Sequence, residues 1–289
     1  MSSVVISAPV KVSQRKRPRI KVDNWELTIG LTIVGAICLA AVLAPIIAPY
    51  NPNQVNILQA LQGPSLSHWF GTDFVGRDLL SRTLYGLRVD IFVVALITYA
   101  GLCVGVVVGT VAGYFGGWFD AIVGRVSDTV ISFPFIVLVL AVVAIVGPGL
   151  KGVAIGIVIV GWALYARLAR SEMLSMREQP FMLATKALGY SNARAIFRHA
   201  LPNLIRSSLV YSTVDVVVNM LVLAGLSYLG LGQQAPGADL GSIIAGGQSY
   251  LLNAWWISTI PGVVLVLFGL GVSMIGDGVT KGELIMVSL

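Results

Sequence analysis

Few residues of this 289-residue chain could carry out bond chemistry, and their spacing does not bring them together. The two histidines, His68 and His199, are predicted to lie on opposite sides of a membrane, so they cannot share a zinc ion or a hydrolytic centre. Ser65 and Ser67 precede His68, but the segment lacks the G-x-S-x-G turn that presents a serine nucleophile. The string nearest to a phosphate-binding loop, residues 147–152, lacks the G-x-x-x-x-G-K-[ST] spacing. We therefore predict no catalytic residue, no metal site and no cofactor in this chain.

Two polar residues inside an apolar run could act on a solute rather than on a bond. Asp215 and Asn219 are four residues apart, so they share one face of a helix. An ionisable group is costly to bury in lipid, which makes such residues pore candidates. They could contact cationic or polar groups of a transported solute, or they could bond to a neighbouring helix or a partner subunit. The sequence leaves both interpretations open.

The most distinctive segment runs from Arg177 to Asn203 and is a basic, more polar stretch between two long apolar runs. Pro180 suits a first helical turn, where its missing N–H does no harm. An apolar stripe follows at helical spacing, and Gly189 then suits the left-handed residue that ends a helix. The stripe consists of Phe181, Ala184, Thr185 and Leu188. A short helix of this kind, flanked by cations such as Lys186, is typical of a helix that docks into a groove on a partner protein.

The composition places the chain in a lipid membrane. It is 56% hydrophobic and only 11% charged, whereas soluble domains have about a quarter of charged residues. The net charge of +6 comes from cations that cluster beside apolar runs, as orientation signals do, so we predict no nucleic-acid partner. Cys38 and Cys103 fall inside predicted spans and are expected to act as small packing residues.

Six apolar runs are long enough to cross a bilayer. Glycines recur every fourth residue in the second run, from Gly101 to Gly113, and predict close contact with another helix. Pro134 interrupts the third run and permits a kink, which could be a gate hinge or simple packing geometry. The predicted spans cover about Trp25–Ala48, Ile91–Tyr114, Ala121–Val146, Gly152–Ala169, Leu204–Leu229 and Trp256–Ile275.

The remaining segments fix a predicted topology. Residues 1–24 form a basic tail, and residues 25–289 form one six-helix transmembrane domain. Within it, residues 49–89 form an extracytoplasmic connection whose last part, after Gly76, is predicted to be a helix lying in the membrane interface. Residues 170–203 form the loop that we call the basic loop. This arrangement places fifteen of the nineteen Lys and Arg residues on one side, which predicts cytoplasmic N- and C-termini and a cytoplasmic basic loop.

Two strings of residues carry a family resemblance. The spacing Ala184…Gly189…Leu201-Pro202 resembles the cytoplasmic loop of the membrane subunits of bacterial ABC importers. The string Gly71-Thr72-Asp73…Gly76-Arg77-Asp78…Ser81-Arg82 resembles a signature of the dipeptide, oligopeptide and nickel branch of that family. The second string could shape the mouth of the pore or contact substrate. The resemblance implies an all-α, polytopic membrane protein with the type I ABC importer permease fold.

The resemblance also implies a function and a set of partners. The chain would form half of a translocation pore, with a homologous second permease, two ABC ATPase subunits that bind ATP and Mg²⁺, and an extracytoplasmic solute-binding protein. Its location would be the bacterial inner membrane. The sequence does not decide between dipeptides, oligopeptides, nickel, glutathione and other substrates. The residues implied to contact the ATPase are Phe181, Ala184, Thr185, Lys186, Leu188 and Gly189.

Two other classes of function stay open at this point. An ion-coupled secondary transporter or a channel would also span the membrane, but such proteins usually show buried charge relays or inverted repeats. Asp215 is the one strong mid-membrane acid in the sequence, and we find no convincing repeat. A membrane scaffold without transport activity is the third hypothesis.

Overall fold

The structure is a computed structural model that describes residues 25–287, with side chains described as far as Lys281. Every regular element in this range is a helix, apart from one isolated antiparallel bridge between Thr72 and Asp78. The all-α prediction is therefore confirmed. The predicted basic tail, residues 1–24, lies outside the described residues.

Eleven α-helices follow one another along the described chain. A π-helical turn, Ala195–Ala200, joins α8 to α9, and short 3₁₀ turns occur at Ile57–Gln59 and Gln248–Tyr250. The α-helices are α1 (Trp25–Val42), α2 (Ala44–Ile47), α3 (Leu79–Phe115), α4 (Gly117–Ser132), α5 (Phe135–Val146), α6 (Leu150–Met176), α7 (Pro180–Ala187), α8 (Asn192–Arg194), α9 (Leu201–Tyr228), α10 (Leu240–Gly247) and α11 (Trp256–Val287).

Five of the described helical segments are long and apolar enough to cross a membrane, and α4 with α5 provides a sixth if the pair counts as one span. The pair corresponds to the predicted third span, but its two axes meet at 97° rather than forming a gently kinked helix. Pro134 lies at the break and has no N–H to continue α4. Phe133, just before it, is extended at φ −89° and ψ 148°, as the residue before a proline prefers to be.

The predicted helix after Gly76 is present, but the prediction of a separate interfacial helix is wrong, because this segment is the start of α3. Asp78 caps the helix, which then runs without a break for 37 residues. Ser81, in the first turn of this helix, is fully buried. A Cβ placed on Gly86 would lie 3.2 Å from the Asp239 backbone, so α3 passes close to the start of α10 here. Non-local packing therefore buries the face that looked solvent-exposed in the sequence.

The predicted fifth span also begins earlier than its apolar run. The segment from Asn192 to Tyr228 is one continuous helical stretch that includes Pro202, whereas the predicted span began at Leu204. The π-helical turn immediately before Pro202 changes the hydrogen-bond pattern where the proline cannot donate. The basic loop is thereby joined to the fifth span without a flexible link.

The helices α3 and α6 pack closely against each other. A Cβ on Gly105 would approach Tyr165 Cβ to 2.5 Å, and one on Gly109 would lie 2.8 Å from Ala166 Cα. Gly113 is similarly crowded, whereas Gly101 leaves 3.8 Å to its nearest neighbour. The predicted glycine face is confirmed as a contact surface at its last three positions. Small residues in such a surface let two backbones approach closely.

Candidate functional site

The helix α7 in the basic loop is short but well defined at both ends. Pro180 occupies its first turn, as predicted. At the other end Gly189 adopts φ +73°, a left-handed conformation that glycine reaches without strain. The Gly189 N–H donates to Lys186 O, and the Tyr190 N–H donates to Thr185 O, both at 3.0 Å. These two bonds form a Schellman cap, so the glycine fixes where the chain leaves α7.

One face of α7 is buried against the rest of the chain. Met182 is fully buried, and Thr185 is 5% exposed and donates its hydroxyl to Met182 O at 2.7 Å. Met182 belongs to an apolar cluster that includes Met173 of α6 and Leu204 of α9. Thr185 therefore faces inward in this chain, unlike the other members of the predicted stripe.

The opposite face of α7 exposes apolar side chains. Leu188 is 70% exposed, Leu183 is 51% exposed and Phe181 is 40% exposed, and Ala184 lies among them. This helix lies outside the candidate membrane spans. Large apolar side chains that are exposed together outside lipid typically mark an interaction surface. Leu183 was not among the predicted contact residues, although its place in the helix between Phe181 and Ala184 was a usable signal.

Polar contacts attach α7 and its flanks to the ends of the long helices. Tyr114, near the end of α3, donates to Asn192 Oδ1 at 3.0 Å, and the ammonium of Lys186 lies 5.6 Å from the centroid of the Tyr114 ring. Arg177 donates to the backbone oxygen of Gly113 at 3.1 Å. The sequence-predicted residues Lys186 and Gly189 thus hold α7 in place rather than extending its exposed apolar face.

A bidentate ion pair connects α6 and α4 at the same end of the molecule as α7. The sequence did not reveal this pair. Arg170 of α6 donates to both carboxylate oxygens of Asp120 in α4, at 2.5 Å and 2.7 Å. This fork-to-fork geometry is the strong form of an arginine–carboxylate pair. The two residues are 50 positions apart, and no local pattern signals their contact.

The pore candidates form a partly buried network between three helices. Both predicted residues lie together, because Asn219 donates to Asp215 Oδ2 at 3.0 Å. Tyr165 of α6 donates to the same oxygen at 2.8 Å, and Asn219 also donates to Thr98 Oγ1 of α3 at 2.9 Å. Bonding to neighbouring helices, one of the two interpretations of these residues, is therefore present. Tyr165 and Thr98 were missed because nothing in an apolar run shows which polar side chain faces another helix.

The hinge candidate Pro134 lies at the sharp bend between α4 and α5 and precedes the first residue of α5. Its position agrees with a change of direction in the chain. That the bend acts as a gate hinge stays a prediction.

The signature between Gly71 and Arg82 holds the connection between α2 and α3 together. Asp78 accepts hydrogen bonds from the backbone and hydroxyl of Ser81 at 2.8 Å and 2.7 Å, and its other oxygen lies 2.8 Å from His68 Nδ1. Trp256 of α11 donates to Thr72 O at 3.2 Å. Most of these polar groups are therefore used in the fold of the chain itself.

Comparison with known proteins shows which family models and relatives this chain matches. A family model described as "Binding-protein-dependent transport system inner membrane component" matches residues 105–281, and one described as "N-terminal TM domain of oligopeptide transport permease C" matches residues 27–64. The chain is 39% identical, over 88% of its length and 84% of the relative's, to the "Dipeptide transport system permease protein DppC" of Alkalihalophilus pseudofirmus. It is 36% identical, over 86% of its length and 85% of the relative's, to the "Probable D,D-dipeptide transport system permease protein DdpC" of Escherichia coli.

A solved structure of the MetNI methionine ABC transporter in inward-facing conformations is 19% identical, with a TM-score of 0.46 over 66% of this chain and 93% of that chain. A likeness of this size adds nothing to the assignment. The match over residues 105–281 and the relatives that align over most of both chains establish the family by themselves. The chain therefore belongs to the inner-membrane permease components of binding-protein-dependent transport systems.

Proposed function

We propose that this chain forms half of the translocation pore of an ATP-driven importer of dipeptides and oligopeptides, and that α7 couples the pore to separate ATPase subunits. The observation that carries the proposal is the exposed apolar face of α7, outside the candidate spans and centred on Phe181 and Leu188. The names of the relatives, which mention dipeptides, favour peptides over nickel. ATP and Mg²⁺ would bind to the partner ATPases.

The remaining partners follow from the same proposal. A homologous permease supplies the other half of the pore, and a solute-binding protein delivers substrate on the extracytoplasmic side. The distribution of Lys and Arg supports a cytoplasmic basic loop and cytoplasmic termini, because cations accumulate in cytoplasmic loops.

The attachments of α7 suggest how motion would reach the pore. When ATP closes the ATPase dimer, a docked α7 is displaced. Its contacts with the ends of α3 and α6, through Lys186 and Met182, and the unbroken helical stretch from Asn192 to Tyr228, transmit this displacement into the spans. The pore then alternates between access from the binding protein and access from the cytoplasm. In this mechanism the chain breaks no bond itself.

Uptake in proteoliposomes that contain the purified complex tests the proposal. We expect peptide uptake that requires ATP and the binding protein, stops with orthovanadate and persists with a protonophore. Uptake that collapses with the protonophore but ignores orthovanadate would instead identify an ion-coupled transporter. In intact cells, a cysteine in place of Lys186 should be labelled only by membrane-permeant reagents, and labelling by an impermeant reagent would place the basic loop on the wrong side.

A further inference from the structure

A second feature lies at the end of the molecule opposite α7. The 28 residues of α9 separate the two ends by about 40 Å. Here the α2–α3 connection, the α9–α10 loop and α10 line an open cavity of about 170 Å³. Its lining includes two arginines, Arg77 and Arg82, beside apolar side chains from Phe74, Ile243 and Ile257. Apolar walls with a few fixed polar groups are typical of small-ligand sites.

The charges that line this cavity do not balance. Arg77 Nε donates to Asp73 Oδ2 at 2.6 Å, and Arg82 Nε lies 3.7 Å from the same oxygen. Asp73 Oδ1 already accepts from the backbone N–H groups of Val75 at 3.0 Å and of Arg77 at 2.9 Å. Two guanidinium groups thus share one carboxylate, and one positive charge remains without a counter-charge among the lining residues.

The arginines also keep unused donors. Arg82 is only 6% exposed, and among the described residues its one hydrogen bond goes from Nη1 to Pro52 O at 3.0 Å. Arg77 uses Nε on Asp73, and no described residue accepts from its terminal N–H groups. A guanidinium carries five N–H donors, and none of the unused ones is among the fully buried, unpartnered atoms of the described residues. They therefore stay accessible, and an anion in the cavity would accept charge-assisted hydrogen bonds from them.

The donors are also held in place. The Arg77 guanidinium lies 5.6 Å from the centroid of the Phe74 ring, which itself stacks on Tyr250 with 5.8 Å between the ring centroids. The carboxylate of Asp73 fixes the near end of the Arg77 fork. The cavity therefore presents a preorganised cationic wall, and a ligand loses less free energy when it binds to such a wall.

We propose that this cavity binds the C-terminal carboxylate of a short peptide, with an apolar side chain of the peptide against Phe74 and Ile257. A planar carboxylate matches the guanidinium fork. One uncompensated charge matches a monoanion better than a dianionic phosphate. Gln233 also lines the cavity and supplies an amide for the peptide bond. The choice of a peptide rests on the proposed import function, whereas the carboxylate specificity rests on the cavity itself.

The test is calorimetric titration of the complete transporter in nanodiscs with alanyl-phenylalanine and with its C-terminal amide. We expect the free acid to bind at least about tenfold more tightly than the amide, because the charge-assisted hydrogen bonds are lost with the amide. Arg77→Gln should weaken binding of the acid by a similar factor and abolish the preference. Lys151→Gln removes an exposed cation at the same end of the molecule, where Gly149 N–H donates to Leu231 O at 2.9 Å, and should change nothing.

Equal affinities for the acid and the amide on the unmodified transporter would overturn the proposal without relying on any variant. So would wild-type binding of the acid by a folded Arg77→Gln transporter. If the acid does not bind, but Arg77→Gln abolishes stimulation of the ATPase by the solute-binding protein, the carboxylate belongs to the docking protein and the peptide occupant is wrong. ATP-driven uptake by the unmodified complex, measured in parallel, reports separately on the import function.

Discussion

The hydroxyl of Tyr165 in α6 donates a hydrogen bond of 2.8 Å to Oδ2 of Asp215 in α9. Asn219 donates to the same oxygen, so both protein donors converge on one side of the carboxylate. Among the described residues, no group donates to Oδ1. The carboxylate can therefore tie helices together through one oxygen and still offer the other to a solute or a partner subunit, so the two interpretations of Asp215 are compatible.

Replacing Tyr165 with phenylalanine tests the structural part of this arrangement. The variant keeps the ring, which packs edge-on against Tyr211 at 5.2 Å, and removes only the donor. We expect a loss of stability of about 0.6 kcal/mol, and at most about 1.7 kcal/mol, as for other hydrogen bonds between membrane helices. The midpoint of thermal denaturation of the purified complex measures it. Tyr211→Phe is the matched control. An equal shift of the denaturation midpoint in both variants would exclude loss of the Tyr165–Asp215 hydrogen bond as the cause.

The glycine face of α3 yields a second prediction. A Cβ at Gly109 would lie 2.8 Å from Ala166 Cα, a backbone atom that cannot turn aside. Gly109→Ala should therefore separate α3 from α6 and destabilise the protein by about 1–3 kcal/mol, as overpacking does. Gly161 in α6 has no atom within 4 Å of an added Cβ, so Gly161→Ala should be neutral or slightly stabilising. The midpoints of thermal denaturation of the two variants measure this difference. The prediction is wrong if Gly109→Ala denatures at the same temperature as the parent protein.

A third prediction concerns the start of α3. Asp78 caps the helix with one oxygen and meets buried His68 with the other. Asp78→Ala removes the cap and leaves the imidazole without this partner, at a cost of about 1–3 kcal/mol. Asp78→Asn keeps an acceptor for the cap and should cost less. Limited proteolysis should cut the α2–α3 connection faster in Asp78→Asn than in the parent protein, and fastest in Asp78→Ala. Equal rates of cleavage in the two variants would contradict the assigned role of Asp78 as the cap of α3.

Local patterns predicted the features of this fold that depend on neighbouring residues. The length of each apolar run indicated the spans, Gly189 indicated the end of α7, and the four-residue glycine repeat indicated a packing face. Each signal lies within one element and has one dominant physical cause.

Features that depend on distant residues were not predictable in this way. The polar start of α3 looked interfacial because the groups that bury Ser81 come from other parts of the chain, such as Tyr50, whose backbone N–H donates to the Ser81 hydroxyl at 3.2 Å. Pro134 indicated a kink, but nothing in the neighbouring residues gives its angle of 97°. In the candidate site, the exposed stripe of α7 was predicted except for Thr185, because spacing alone does not show which edge of a stripe faces inward.

The exposed face of α7 gives a fourth prediction, for coupling. Leu188→Glu places a charge on an apolar side chain that is 70% exposed, so the isolated chain should fold normally. If this face docks into an ATPase groove, burying the new carboxylate there is costly, and peptide uptake per ATP hydrolysed should fall at least about tenfold. Ser175→Glu adds the same charge at an exposed position near the end of α6 and should leave coupling unchanged. Normal uptake by a Leu188→Glu complex would exclude α7 as the coupling element.

The break between α4 and α5 gives the last prediction. Pro134→Ala restores the missing N–H and frees Phe133 from the extended conformation that a following proline favours. Spin labels at Val126 and Ile145, which are both exposed, report the angle. In one straight helix their backbones would be about 28 Å apart, whereas a bend near 97° brings them to about 20 Å. If Pro134 acts as a gate hinge, the variant should populate the longer distance and lose uptake while its ATPase subunits stay bound. If packing alone holds the bend, the variant keeps both the short distance and its uptake, and the hinge assignment fails.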